Sequence, residues 1–472
     1  MRMTITRRQP GVPASAEGEA SGTLRRKRAA LAAAMFGFAV VALDAQVTNV
    51  ALPSIHRSLG GDLSGLQWVV TGYTLMFSAL LLLGGTVADR IGSRSAYRNG
   101  MTLFVVASAA CGLAPSLPFL IVARLVQGTG AALVTPTSLS LIREAYQDTA
   151  ERTRAIAYWA LGGSVAAAAG PVLGGLLAQV EWRLIFFVNL PVGLTALAVL
   201  ARVANSPRRP VRFDWAGQVT AVLALAALTY ACIEGGSEGF GKPPVLAAFL
   251  VAVAGLAVFA VVQSRGRHPM VPLGLFRSRL AGVTLGVAFI TMVGFYGTVF
   301  LQSLYFQQVR GYSALVTGLL FLPMTGLVAL SNPLVARIAN RFGRIAPIVG
   351  GQLVMAGGLI SLAAIPIHAP VLAIAALMIL VGVGGASTVP PVASLILDSV
   401  PGPMAGTASG VLNTFRQMGG SLGVAAFGAI VNTSGSFEAG LRVSFTAAAV
   451  LIGITAAATF SIRRVTNTRG RG

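Results

Sequence analysis

What most restricts this chain is its succession of uninterrupted apolar runs, most of them about as long as a helix that crosses a bilayer. A hydrocarbon core about 30 Å thick takes about 20 apolar residues in a helix that rises 1.5 Å per residue. Fourteen runs meet that description: 30–52, 66–87, 101–114, 117–142, 155–180, 184–203, 216–232, 245–262, 283–306, 314–338, 347–365, 371–397, 408–431 and 445–462. Most are too long for barrel strands and lack strict alternation, which excludes a transmembrane β-barrel. The expected fold is an all-α membrane protein of fourteen transmembrane helices.

Composition points the same way. Of 472 residues, 55% are apolar and only 10% charged, whereas soluble domains carry about 25% charged residues. The net charge of +21 raises the question of nucleic acid. The arginines, however, sit in short clusters between apolar runs and form no basic stripe beside an aromatic-rich face. Lysine is nearly absent, a compositional habit of GC-rich bacterial genes. Cys111 and Cys232 lie inside apolar runs, so they read as small buried residues and not as a disulfide framework.

The basic cluster Arg25-Arg26-Lys27-Arg28 precedes a run too long for a signal-peptide core, so the run reads as an uncleaved first helix. An even number of crossings puts both termini on one side. With the termini inside, 28 of the 35 lysines and arginines fall on inner segments. Only Arg57, Arg183, Lys242, Arg310 and Arg442 fall outside, and Arg124 and Arg416 lie in the membrane. The positive-inside rule then makes both termini cytoplasmic, in the cell (inner) membrane of a bacterium.

The chain also repeats itself. Gly128-Thr129-Gly130-Ala131-Ala132 is followed by Pro136 and Ser140-Leu141-Ile142. Gly382-Val383-Gly384-Gly385-Ala386 is followed by Pro390 and Ser394-Leu395-Ile396, 254 residues later. Ala88-Asp89-Arg90-Ile91-Gly92 is echoed 251 residues later by Ala339-Asn340-Arg341-Phe342-Gly343. Two matches at nearly one offset imply a duplicated six-helix unit with an inserted helix pair between the copies. The expected organisation is a cytoplasmic tail (1–29), a six-helix bundle (30–204), a linker with the inserted pair (205–264), a cytoplasmic loop (265–279), a second six-helix bundle (280–463) and a tail (464–472). Parallel repeats of this kind place a transporter's substrate site between the halves.

Asp44 is the acidic residue deepest in any run. Intramembrane charge is expensive and marks function by default, and burial favours the neutral form of a carboxyl group. Asp44 is thus the candidate proton carrier, with a permanently paired structural carboxylate as the alternative. Arg124 is its expected partner. Asp44 sits about 22 Å from the inner start of its helix and Arg124 about 10 Å from the outer start of its own, so both reach similar depth. Arg416 has two readings, substrate binding or bonding to freed backbone carbonyls. Gly92 permits a tight turn after Asp89 and Arg90. Pro171, after Gly170, removes a backbone hydrogen bond and should kink its helix, while the nearby glycines allow close packing.

Three chance patterns carry little weight. Gly236-Ser237-Glu238-Gly239-Phe240-Gly241-Lys242 mimics a phosphate loop, but Pro243 stands where Ser or Thr is required. Gly419-Gly420-Ser421-Leu422-Gly423 mimics a nucleophile elbow inside an apolar helix. His56, His268 and His368 are scattered without metal-ligand spacing.

Taken in order, these motifs resemble the major facilitator superfamily, specifically its fourteen-helix drug:proton antiporter branch. The first-helix stretch from Leu43-Asp44-Ala45-Gln46 to Leu52-Pro53 carries the resemblance, with Gln46 in place of the usual Thr. It continues in Gly85-Thr86-Val87-Ala88-Asp89-Arg90-Ile91-Gly92-Ser93-Arg94, Arg124-Leu125-Val126-Gln127-Gly128-Thr129-Gly130 and Gly170-Pro171-Val172-Leu173-Gly174-Gly175. Trp182-Arg183, Asn189-Leu190-Pro191-Val192-Gly193 and Arg416-Gln417-Met418-Gly419-Gly420 complete it. The resemblance implies proton-coupled export of small amphipathic or apolar organic compounds, such as drugs or antibiotics. It implies that Asp44 and Arg124 couple protons, and that Gly85, Asp89, Arg90, Gly92 and Arg94 form a gating loop. It makes Gly170, Pro171, Gly174 and Gly175 an antiporter kink. With helix depth, it puts Gln46, Asn49, Tyr73, Gln127, Phe295, Tyr296, Asn413, Arg416 and Gln417 at a substrate cavity. The expected partners are substrate, protons and lipid, for a monomer that uses no nucleic acid, ATP, metal or cofactor and is not an enzyme. A proton-coupled uptake symporter and a non-transporting membrane sensor stay open as alternatives.

Overall fold

The computed structural model describes residues 14–208, 210–266, 269–271, 273–400 and 404–462. Residues 1–13, His268 and the tail 464–472 lie outside the described residues. The described residues form helices and connecting loops, without a strand. In chain order these are α1 (Ala14–Leu59), α2 (Leu63–Ile91), α3 (Ser93–Gly112), α4 (Leu117–Ala145), α5 (Thr149–Val180), α6 (Leu184–Phe187), α7 (Asn189–Leu200) and α8 (Trp215–Glu238). They continue as α9 (Pro243–Arg265), α10 (Gly274–Arg277), α11 (Arg279–Leu304), α12 (Ala314–Phe342), α13 (Ile345–Ala364), α14 (Val371–Asp398), α15 (Ala405–Thr433) and α16 (Phe437–Ser461). A short π-helical turn, Tyr305–Val309, extends α11.

Ten of these helices are long and apolar enough to cross a membrane: α1, α2, α4, α5, α8, α9, α11, α13, α14 and α16. Leu184–Leu200 and Ala314–Val328 are shorter apolar helices. The expected runs at 101–114 and 408–431 lie on α3 and α15, whose apolar character is diluted. Arg94, Arg98 and Asn99 dilute α3, and Asn413, Arg416 and Gln417 dilute α15. Leu250, Val253, Leu372 and Ile454 stand on exposed faces, as side chains that lipid covers do. The chain is a multi-pass membrane protein.

Residues 14–29, expected as a cytoplasmic tail, are helical within α1. The sixth run stays one apolar segment, Leu184–Leu200, whose backbone is helical through Val188 (φ −60°, ψ −25°) between α6 and α7. Pro191 interrupts only the hydrogen-bond ladder there, since it has no N–H to bond back to the carbonyl of Phe187.

The repeat seen in sequence is also a repeat of contacts. Asp62 caps α2 by accepting from the N–H of Gly65 at 2.9 Å, and 251 residues later Ser313 caps α12 by accepting from Val316 at 3.3 Å. Gly60 and Gly311 precede these caps with φ of 70° and 68°, and Gly92 and Gly343 end the helices with φ of 89° and 82°. Glycine takes this left-handed region without steric penalty. A Cβ on Gly128 of α4 would lie 2.3 Å from the carbonyl oxygen of Tyr73 on α2. One on Gly382 of α14 would lie 2.4 Å from that of Met324 on α12. Gly130 abuts Gly100 and Phe104 of α3 as Gly384 abuts Gly351 and Met355 of α13.

Helices α1–α7 meet α11–α16 at the end that carries Asp62 and Gly311, and also nearer the other end, where Leu82 of α2 packs beside Gly410 of α15. At the Asp62 end the Ser303 hydroxyl donates to the Asn49 carbonyl at 2.7 Å, and the Gln307 amide to that of Val50 at 2.8 Å. The Gln67 amide reaches the carbonyls of Val424 and Ala425 at 3.1 and 2.9 Å. Helices α5 and α12 touch along Gly175–Ala314, Pro171–Gly318 and Ala168–Thr325. Helix α8 packs against α2, α9 and α15.

Candidate functional site

The first helix crosses the bundle with one carboxylate in its middle. Asp44 is fully buried, and side chains from two other helices, α4 and α7, bond to it. Arg124 of α4 donates from Nη1 to Asp44 Oδ2 at 2.5 Å. Gln127, one turn further along α4, donates from Nε2 to Oδ1 at 2.9 Å. Asn189, the first residue of α7, donates from Nδ2 to the same oxygen at 2.7 Å. Asn189 is held by α3, because its amide also donates to Ser108 Oγ at 3.0 Å, and that hydroxyl donates to the carbonyl of Phe186. The carboxylate thus accepts three hydrogen bonds while sealed from solvent.

Arg124 is fastened independently of Asp44. Its Nε donates to the carbonyl of Val69 on α2 at 3.0 Å, and Nη1 donates to Gln127 Oε1 at 2.8 Å. Its guanidinium lies 4.3 Å from the ring centre of Tyr73 and 5.7 Å from that of Phe186. Charged hydrogen bonds of this kind are strong, and cation–π contact gains value where water is excluded. Removing one partner of a buried pair leaves an uncompensated charge, which is what makes the pair costly to break.

The expected pairing of Asp44 with Arg124 is therefore present in the geometry. Tyr73 and Gln127, expected on a substrate cavity, lie instead inside this cluster. Both are fully buried, Tyr73 under the guanidinium and Gln127 between the two charges. Gln46 and Asn49 are also buried, each with one side-chain oxygen lacking a partner. Asn189 was named only as part of a motif. It is the lone amide in its apolar run, and a polar side chain at membrane depth was the signal that could have found it.

The Asp89 loop is built differently from the expectation. Asp89 is exposed and makes no ion pair or side-chain hydrogen bond among the described residues, and α3 starts at Gly92 without a side-chain cap. A carboxylate at a water-facing end gains little from pairing. The docking comes from other groups. Ser93 and Ser206 donate to the two oxygens of Glu144 at 2.6 and 2.5 Å. Arg94 donates to Asn205 and to the carbonyl of Ala201, and Arg90 lies 4.8 Å from the ring centre of Phe213. Gly92 has no room for a side chain, because a Cβ would lie 3.0 Å from the carbonyl of Ser206. Gly85 has open space around it.

Helix α5 continues through Pro171. Its glycines serve packing on two sides. Gly170 and Gly174 press against Gln46 and Val47 of α1, while Gly175 presses against Ala314 at the start of α12.

Phe295 and Tyr296 of α11 and Asn413, Arg416 and Gln417 of α15 are half-buried. Arg416 borders a narrow crevice with Thr291, Met292 and Thr388. The aromatic edge of Tyr296 lies against Gly420, one turn beyond Arg416.

Comparison with known proteins matches residues 34–424 to the Major Facilitator Superfamily. The multidrug resistance protein Stp of Mycobacterium tuberculosis is 38% identical over 404 residues, covering 85% of this chain and 75% of its own. The methylenomycin A resistance protein of Streptomyces coelicolor is 36% identical over 414 residues, covering 87% of each. The drug efflux pump JefA of M. tuberculosis is 37% identical over 412 residues, covering 86% of this chain and 80% of its own. Among solved structures, a POT peptide transporter in complex with sulfate aligns with a TM-score of 0.69 at 15% identity, covering 92% of this chain and 94% of its own. A bacterial homologue of the lysosomal transporter Spinster, in an inward-facing conformation, aligns with a TM-score of 0.64 at 18% identity, covering 93% and 97%. At these identities the structures speak for the fold alone.

Proposed function

The chain belongs to the Major Facilitator Superfamily, and from that premise we propose that it is a proton-coupled antiporter that exports small amphipathic or apolar organic compounds by alternating access. Relatives named for multidrug and antibiotic resistance support export of drugs or antibiotics. The observation that carries the coupling is the sealed carboxylate of Asp44, held by Arg124, Gln127 and Asn189.

The architecture in this reading has fourteen crossings: α1 to α5, α6 with α7, α8, α9, and α11 to α16. Residues 30–204 and 280–463 form two six-helix bundles. Within 205–264, α8 and α9 are the inserted pair, and 265–279 is a cytoplasmic loop. The paired caps and glycine contacts 251 and 254 residues apart support the duplication. Both termini are cytoplasmic, in the cell membrane. The Asp62 end is then the outer end, and the bonds of Ser303, Gln307 and Gln67 across the halves there support a state closed to the outside.

In this structure Arg124, Gln127 and Asn189 all donate to Asp44, and this arrangement is the proton-free step of the proposed cycle. Opening outward separates Asp44 from Arg124, and Asp44 then takes up a proton. The proton is taken from outside as substrate leaves. Return to the inward state brings Arg124 back and expels the proton to the cytoplasm. One proton crossing about 100 mV supplies about 2.3 kcal/mol, enough for a gradient of somewhat under a hundredfold for a neutral substrate. Gln46, Asn49, Phe295, Tyr296, Asn413, Arg416 and Gln417 are the candidate cavity residues. Gly85, Asp89, Arg90, Gly92 and Arg94 form the gating loop. Pro171 with Gly170, Gly174 and Gly175 lets α5 move against α1 and α12.

Efflux from proteoliposomes under an imposed pH gradient tests this. Asp44→Asn removes a charge penalty, so it is expected to insert normally and keep gradient-free exchange while losing proton-driven accumulation. Undiminished proton-driven transport by this variant would refute the coupling. Uptake into the cytoplasm, in the direction of the gradient, would mark a symporter instead.

A further inference from the structure

The charges inside the helices do not balance. Asp44 and Arg124 neutralise each other at 2.5 Å. Arg416, near the middle of α15, has no carboxylate within ion-pair distance among the described residues. An intramembrane arginine without a partner is costly and marks a functional site by default.

Its hydrogen bonding is as incomplete as its charge. A guanidinium carries five N–H donors. Arg416 uses one, from Nη1 to Asn413 Oδ1 at 3.3 Å, a residue one turn back on the same helix. Its Nε is buried and has no partner among the described residues. Two hydroxyls, Thr291 Oγ1 of α11 and Thr414 Oγ1 of α15, are also buried without partners. Thr291 shares with Arg416 the wall of the crevice between the helices, whose other lining includes Met292, Val389 and Val392. The site is one fixed cation, with hydroxyl groups and an apolar wall nearby, between helices.

We propose that Arg416 binds the anionic head group of the exported compound, so that the substrates are amphipathic organic acids carrying one carboxylate. This rests on the export reading above and adds the substrate class to it. A guanidinium presents parallel N–H donors that match the two oxygens of a carboxylate, and the hydroxyl of Thr291 is placed to donate to the same group. The apolar wall takes the carbon skeleton. The same net positive charge disfavours an organic cation, which would meet a fixed like charge in a low-dielectric site.

A matched series tests the assignment: naphthylacetic acid, its methyl ester and naphthylethylamine, equal in apolar body and different in charge. Equilibrium binding to the purified full-length protein in detergent at pH 7.5 is expected to favour the acid over the amine by at least tenfold. Arg416→Gln should abolish that preference and leave ester affinity within about threefold. Thr291→Val should weaken the acid several-fold without changing the ester. Equal or tighter binding of the amine by the wild-type protein would overturn the proposal with no variant needed, and so would a preference that survives in Arg416→Gln. Transport in the same preparation separates this from the antiport reading. Acid preference in binding, with efflux that ignores an imposed pH gradient, would sink proton coupling and leave the anion site standing.

Discussion

The Nδ2 amide of Asn189 donates to Oδ1 of Asp44 at 2.7 Å, joining the first residue of α7 to the middle of α1. The contact puts α7, and through Ser108 also α3, in touch with the one carboxylate that Arg124 neutralises. A charged hydrogen bond of this kind contributes about 1.5–3 kcal/mol. Asn189→Ala removes a donor that favours the charged form. Proton-driven exchange should therefore weaken several-fold while insertion is unchanged. Exchange rates in reconstituted vesicles under an imposed pH gradient measure it, and an unchanged rate would mean that Asn189 only packs.

Arg124→Ala should be among the most destabilising substitutions in the chain, because it strands Asp44 as a buried charge. Breaking such a pair costs about 3–5 kcal/mol. The double variant Asp44→Asn with Arg124→Ala removes both charges and should recover much of the loss. Melting temperatures of the detergent-purified variants decide the matter. A double variant no more stable than Arg124→Ala would show that Arg124 is held mainly by Val69 and Tyr73.

Gly128→Ala and Gly382→Ala should each cost about 1–3 kcal/mol, the usual range for overpacking. At each position the atom in the way is a backbone carbonyl that cannot swing aside. Gly85→Ala, with open space around it, should be neutral or slightly stabilising, since alanine is the better helix former by about 1 kcal/mol. The same melting assay compares all three, and a cost at Gly85 equal to the others would break the packing argument.

Fourteen crossings with cytoplasmic termini require the turn after α8 to lie outside. Reporter fusions at residue 240 and at the C-terminus should then report opposite sides of the membrane. The same side for both would remove the inserted pair from the membrane or add an uncounted crossing.

Membrane residence was legible from the apolar runs, because a bilayer leaves few solutions for a backbone that must satisfy its own hydrogen bonds. The duplication was legible from glycines that recur at one offset, because each marks a place where two backbones touch. Asp44 and Arg124 were legible as a pair through depth alone, since charge at mid-membrane is rare and must be compensated. What tertiary structure decided was the company each residue keeps. Sequence depth cannot tell which face of a helix looks at a cavity and which at a neighbour. Tyr73 and Gln127 were thus expected on a cavity wall and turned up around the ion pair. Glu144, Ser206 and Asn189 act through contacts spanning 51 to 145 residues, and such contacts exist only once the helices have packed. Asp89 shows the converse, since the loop named for its motif is held by Glu144, Ser93 and Ser206, and not by Asp89 itself.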